Sequence, residues 1–171
     1  MPDVFEQLKE NSSFASGRLI FENSAISDTG GEFTLYYIDN SEKKFPEWVS
    51  QLTSFNKDVL QKNLTYYPEY ARHISEKKIQ SLSFSALLKK HGVTTVDLVS
   101  IDTEGFDYEI LKTIDFGVTR PSLIIFEVSH LSKEQFKKGV SLLKKHNYAV
   151  AITAKDCIAY SKVPGPGQTT G

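Results

Sequence analysis

A single cysteine, Cys157, stands among 171 residues, so no disulfide can close within the chain and no paired-cysteine metal site can be assembled from it. Histidine is nearly as sparse. His73, His91, His130 and His146 fall on separate stretches, which argues against a histidine-rich metal cage. No apolar run approaches the roughly 20 residues of a membrane span. The opening Met-Pro-Asp-Val-Phe-Glu also lacks the basic end and apolar stretch of a secretory signal, and with the lone thiol this reads as a cytoplasmic chain. Neither sign of charge dominates. Lys and Arg number 20 against 21 Asp and Glu, for a formal charge of -1, so no field draws a phosphate backbone and no nucleic-acid partner is expected. Missing too are a Gly-x-x-x-x-Gly-Lys phosphate loop, a Gly-x-Ser-x-Gly elbow, a His-Glu-x-x-His zinc helix and any internal repeat.

What remains, 40% hydrophobic and 24% charged, is the composition of a globular domain, which at this length buries roughly 70% of the surface of its unfolded chain. One domain is expected over residues 1–163. The last stretch, 164–171, is Pro-Gly-Pro-Gly-Gln-Thr-Thr-Gly, has nothing to bury and reads as a flexible tail. Apolar side chains at Val4, Phe5 and Leu8 predict a short helix over 3–11. Leu19-Ile20-Phe21 and Phe33-Thr34-Leu35-Tyr36-Tyr37-Ile38 read as two strands of one hairpin, with a Thr29-Gly30-Gly31 turn making closure cheap in entropy. Residues 39–73 lose periodicity and read as an insertion with short helices, aromatic around Trp48 and Phe55.

Downstream the pattern alternates. An extended segment over 74–82 precedes a helix capped by Ser83, with Phe84, Leu87 and Leu88 on its apolar face. A strand over 96–101 ends in Asp102-Thr103-Glu104-Gly105, and a helix burying Ile110, Leu111 and Ile114 follows. Leu123-Ile124-Ile125-Phe126 is the most apolar strand, expected to be the most buried, between the 96–101 strand and a closing hairpin of strands 148–152 and 157–160. Ser132 and Gln135 fit a capping box for a helix carried forward by Phe136, Val140 and Leu143. Alternating strands and helices predict an α/β fold with a mostly parallel, doubly wound sheet, helices on both faces and a C-terminal antiparallel hairpin.

Ligands of such sheets bind outside the carboxyl ends of the strands. Three places there carry chemistry: Asp102-Thr103-Glu104-Gly105, Glu127-Val128-Ser129-His130, and the small-residue stretch 23–28. Asp102, Glu104 and His130 are the candidate catalytic residues, since carboxylates and an imidazole can orient or deprotonate an acceptor. No metal is expected, although a hard cation on Asp102 and Glu104 stays open.

The segment Val96-Asp97-Leu98-Val99-Ser100-Ile101-Asp102-Thr103-Glu104-Gly105-Phe106-Asp107-Tyr108-Glu109-Ile110-Leu111 resembles the signature of the FkbM family of S-adenosylmethionine-dependent methyltransferases. Asn23-Ser24-Ala25-Ile26-Ser27-Asp28 with Gly31 is similar to that family's Asn-x-Ala-Ile-Ser-Asp loop, and the likeness covers most of residues 3–160. The resemblance implies a class I methyltransferase-like (Rossmann-like) fold and methyl transfer to a hydroxyl oxygen of a small-molecule, glycan or lipid acceptor. It places Ser24, Ala25 and Asp28 beside the cofactor S-adenosylmethionine and Asp102 at the cleft between donor and acceptor.

One departure qualifies the expectation. The family's Asp-x-Gly-Ala-Asn-x-Gly loop and the acid that holds the donor ribose are not in the sequence, and residues 3–11 resemble the helix that follows them. The chain therefore reads as an N-terminally truncated methyltransferase domain expected to bind the donor weakly or not at all. The alternative is a non-catalytic binding or interaction module on the same scaffold. A metal-dependent hydrolase using Asp102 and Glu104 is a third reading, for which the sequence alone supplies no further ligands.

Overall fold

The structure, a computed structural model, describes residues 2–12, 17–42 and 44–163; the tail expected over 164–171 lies outside them. The described residues form two four-stranded mixed sheets. In chain order the elements are α1 (Pro2–Asn11), β1 (Ala25–Ile26), β2 (Gly31–Ile38), a 3-10 helix (Glu47–Gln51), β3 (Thr53–Ser54), α2 (Lys57–Asn63), α3 (Pro68–Ala71), β4 (Ile74–Leu82), α4 (Phe84–Lys90), β5 (Leu98–Ile101), α5 (Asp107–Leu111), β6 (Leu123–Glu127), α6 (Lys133–Lys145), β7 (Tyr148–Ile152) and β8 (Asp156–Ser161). No helix among the described residues is long and apolar enough to cross a membrane.

The second sheet follows the sequence closely. Its order is β5-β6-β8-β7, with β5 and β6 parallel and the last three strands antiparallel. Ile124 and Phe126 are wholly buried on one face of β6, while Leu123, Ile125 and Glu127 are half-covered on the other. The central strand is thus buried fully on one side only. Over that side lie Ile110, Leu111 and Ile114 together with Leu143 of α6. Gly139 lets α6 approach, since a Cβ there would stand 3.4 Å from the Phe126 ring. The capping box forms as expected: Gln135 N–H donates to Ser132 Oγ, and Ser132 N–H donates to the Gln135 side chain. Tyr148 closes the bottom of this core by donating its hydroxyl to the Pro121 carbonyl at 2.6 Å.

The first sheet departs from expectation. Its order is β1-β4-β2-β3, and β2 pairs along its whole length with β4, from Gly31 opposite Ser81 to Ile38 opposite Ile74. Leu19-Ile20-Phe21 forms no strand: Ile20 is 68% exposed, and Phe21 instead sets its ring edge-on to Phe5 of α1. The hairpin is lost for a physical reason. An eight-pair ladder to β4 supplies more cross-strand contacts than a three-residue run can, and these outweigh the shorter loop of the local alternative. β2 takes β4 along one edge and β3 at Tyr36 and Tyr37 on the other, and 19–21 pairs with none of these strands. Residues 23–28 likewise are not a simple loop, because Ala25 and Ile26 pair in parallel with Ser81 and Leu82.

The single doubly wound, mostly parallel sheet expected from the sequence is therefore replaced by two sheets with one parallel pair each. Apolar contacts join them. Ile26 and Phe84 pack against the core of the second sheet, and Phe55 bridges Phe33 of β2 to Phe106 at the start of α5. The insertion carries its expected short helices, and Val49, Leu60 and Leu64 bury Ile38 in a second, smaller core.

Candidate active site

The carboxyl ends of parallel β5 and β6 bring two of the three sequence-marked segments together. Beyond β5 the chain must turn at once into α5, and it does so through two successive left-handed residues, Glu104 (φ 52°) and Gly105 (φ 100°). Glycine is required at the second of these. Its φ is unfavourable for other residues, and a Cβ would stand 3.3 Å from the His130 Cβ and 3.4 Å from Val59 of α2. The turn is pinned from below by Asp107, wholly buried at the first position of α5, whose carboxylate accepts the Gly105 N–H at 3.2 Å. Burial raises the Asp107 carboxyl above its ordinary range, against the opposing pull of that N–H and the Thr103 hydroxyl.

Holding the turn in this shape points Glu104 at the segment beyond β6. His130 Nε2 lies 3.1 Å from Glu104 Oε2 and 3.8 Å from Glu127 Oε1. The three side chains span from 17% exposed at Glu127 to 37% at Glu104, so the cluster opens to solvent on one side. One ligand atom from each lies within 4.8 Å of the others. Glu127 Oε2 is shielded from solvent and accepts no hydrogen bond. Asp102, by contrast, is exposed and engages in no hydrogen bond or ion pair among the described residues. Of the three expected catalytic residues, then, Glu104 and His130 meet, and Asp102 stands apart. Glu127 is the member that sequence reasoning left out of the candidate set, although its i to i+3 spacing from His130 after a buried strand was the available signal.

Ser24 and Ala25 line a cleft of about 390 Å³ with Glu22, Leu35, Phe55, Lys77, Ile79 and Gln80 among its walls. Asp28 is not among the residues lining it; its carboxylate accepts the Thr29 N–H at 2.9 Å in an exposed turn. Ser24 Oγ donates to Glu22 at 2.7 Å, and Glu22 also meets Lys90 Nζ at 2.8 Å and His91 Nε2 at 3.0 Å. The Lys90 ammonium, with Ser24 and His91, holds the Glu22 carboxyl down at about 2. Ser27 serves the fold instead. Buried, its Oγ lies 2.9 Å from Ser81 Oγ and accepts the Gly30 N–H, tying the β1–β2 turn to β4. Cys157 is buried in the second core, and burial pushes its thiol up to about 11, so it offers no thiolate nucleophile near neutrality.

Among comparisons with known proteins, no curated protein and no solved structure matches. A family model does: the methyltransferase FkbM domain matches residues 2–150, a span that takes in the first sheet, β5 and β6 of the second, the Glu104 turn and the Glu127–His130 pair. On that match, over most of its length, the chain belongs to the FkbM methyltransferase family.

Proposed function

We propose that this chain carries the acceptor side of an S-adenosylmethionine-dependent methyl transfer to a hydroxyl oxygen. The observation that carries the reading is the 3.1 Å contact between His130 and Glu104 at the ends of two parallel strands, within a family-matched span. An acceptor oxygen that gains a methyl group must lose its proton. His130, oriented by Glu104 and backed by Glu127, is built to take that proton, and Asp102, exposed just before Glu104 in sequence, to orient the acceptor. Small molecules, glycans and lipids bearing a hydroxyl are the proposed acceptors, in a cytoplasmic setting.

The donor would supply a methyl group already activated on sulfur, and the described residues fit it only in part. The cleft beside Ser24 and Ala25 offers apolar walls from Leu35, Phe55 and Ile79 for a flat ring. Nothing comparable is present for the rest of the donor: Ser24 is engaged by Glu22 and Asp28 by Thr29, and the sequence holds no Asp-x-Gly-Ala-Asn-x-Gly loop. The residues thus do not complete a donor site, and weak donor binding by this chain is expected on calorimetric titration.

Transfer of labelled methyl from the donor at high concentration to a panel of hydroxyl acceptors tests the reading. His130→Asn, Glu104→Gln and Asp102→Ala should each lower it by about a hundred- to ten-thousand-fold, the usual span of general-base catalysis. Turnover that survives all three substitutions would remove these residues from the chemistry. A second reading is favoured by the insertion, where Trp48 and Tyr67 are each 42% exposed and Tyr66 89%. Such a surface suits a non-catalytic interaction module, and complete absence of transfer from the folded chain would support it.

A further inference from the structure

The geometry points to Glu104, Glu127 and His130 as ligands of one divalent cation of the manganese-to-zinc series. Two carboxylates converge on a single imidazole, an excess of negative charge that one ring cannot balance. Glu127 Oε2, shielded from solvent and without a hydrogen bond, is a carboxylate oxygen short of a partner in a place where buried acceptors ordinarily have one. The other oxygen of the same carboxylate, Oε1, is the one 3.8 Å from His130, and a cation bound by both oxygens of Glu127 supplies the missing partner. Around a metal with ligand bonds of about 2.1 Å, neighbouring ligand atoms stand about 3.0 to 3.4 Å apart. The His130 to Glu104 contact at 3.1 Å already matches this, and Glu127, 3.8 Å from His130 in a set that lies within 4.8 Å, closes on the same point by side-chain rotation. One imidazole nitrogen with two carboxylate oxygens suits manganese, iron, cobalt or zinc better than a purely oxygen-seeking ion such as calcium. The backbone is committed to the arrangement as well, because the left-handed Glu104 and Gly105 hold the turn against His130.

Three protein ligands leave positions open, and the partial exposure of the cluster lets solvent or an acceptor fill them. For its role the site rests on the methyl-transfer reading: the ion would hold an acceptor hydroxyl and lower the pH at which it ionises, the proton leaving to solvent, and His130, the base of the metal-free chain, would then serve as ligand. Occupancy itself does not depend on that reading.

The test is titration of manganese(II) chloride into the folded 171-residue chain without donor or acceptor, read by calorimetry and by electron paramagnetic resonance. One saturable ion per chain is expected. Pulsed measurement on the wild-type protein should show coupling of the manganese to one nitrogen, the His130 imidazole, and this readout needs no variant to fold. Glu104→Gln and Glu127→Gln should each weaken binding at least about ten-fold, the loss typical even of an outer-shell partner, while Glu134→Gln on α6 should leave it unchanged. Absence of saturable binding, absence of nitrogen coupling, or affinity indifferent to both glutamate substitutions would overturn the site. A failed methyl-transfer assay with intact manganese binding would instead count against the methyl-transfer reading alone.

Discussion

The two sheets are held together by different means. The second is organised around a continuous core in which Leu111, Ile124, Phe126, Leu143, Cys157 and Ala159 have no exposure at all, with α5 and α6 laid over one face. The first has a long β2–β4 ladder whose residues are mostly half-covered or exposed, and its own core is the cluster of Ile38, Val49, Leu60 and Leu64. Around that cluster the insertion relies on ring contacts: Tyr67 and Tyr70 stack with centroids 5.6 Å apart, and Trp48 sets its edge to both. Side-chain packing defines one half, and backbone pairing with aromatic contacts the other. The candidate site sits on the second half but is overhung by the first, since Val59 and Phe55 approach the Gly105–Phe106 turn.

The sharpest way to break the contrast is a pair of truncations, one per core. Phe126→Ala should destabilise the chain by about 3–5 kcal/mol and Leu60→Ala by about 2–5 kcal/mol, both measured by urea denaturation. The readouts separate the halves, because Trp48 is the only tryptophan and reports on the first. Leu60→Ala should move the Trp48 fluorescence transition ahead of the far-ultraviolet circular dichroism transition, whereas Phe126→Ala should lower both. Coincident transitions in the Leu60 variant would mean that the halves unfold as one unit.

A smaller effect probes the seam. Gly105→Ala places a Cβ against His130 and Val59 in a left-handed backbone, and should cost more than about 1 kcal/mol while displacing the His130 ring from Glu104. Histidine ring signals in a nuclear magnetic resonance titration would report the displacement; unchanged His130 signals would show that the turn tolerates the methyl group and that its shape is not set by this contact.

The least effect concerns the first half alone. The Glu22 carboxyl titrates near 2 in the folded chain, below its ordinary value of 4.5, so its contribution to stability is present above pH 4.5 and is lost as the pH falls toward 2. Glu22→Gln should therefore flatten the acid limb of the stability profile between those values and leave the Gly105 turn untouched. An acid limb identical to that of the parent chain would mean that Lys90 and His91 exchange Glu22 for water without loss.

Where local chemistry was strong, the sequence was legible. Ser83 and Ser132 cap their helices as their positions suggest, with hydroxyls accepting the N–H of Ala86 and Gln135. The apolar run at 123–126 lies between β5 and the closing hairpin because a strand that hydrophobic has few other places to go. The run at 19–21 misled because three apolar residues next to a good turn look like half a hairpin, and nothing local reveals that β4, some forty residues on, offers β2 a longer ladder. The candidate site was legible in its parts. Glu104 and His130 stood out by their place after strands, but the weight given to Asp102 over Glu127 depended on where each carboxylate points.

By itself, then, the sequence determined the elements of the second half, the helix caps, the insertion and the membership of the family, since these follow from periodicity, capping chemistry and a contiguous motif. Tertiary structure alone decided that the strands divide into two sheets, because pairing is a competition between distant edges that only the assembled chain can settle. It alone also set Glu104, Glu127 and His130 around one point, for the parallel register of β5 and β6 and the left-handed turn at Gly105 fix three side chains that lie on two separate stretches of chain.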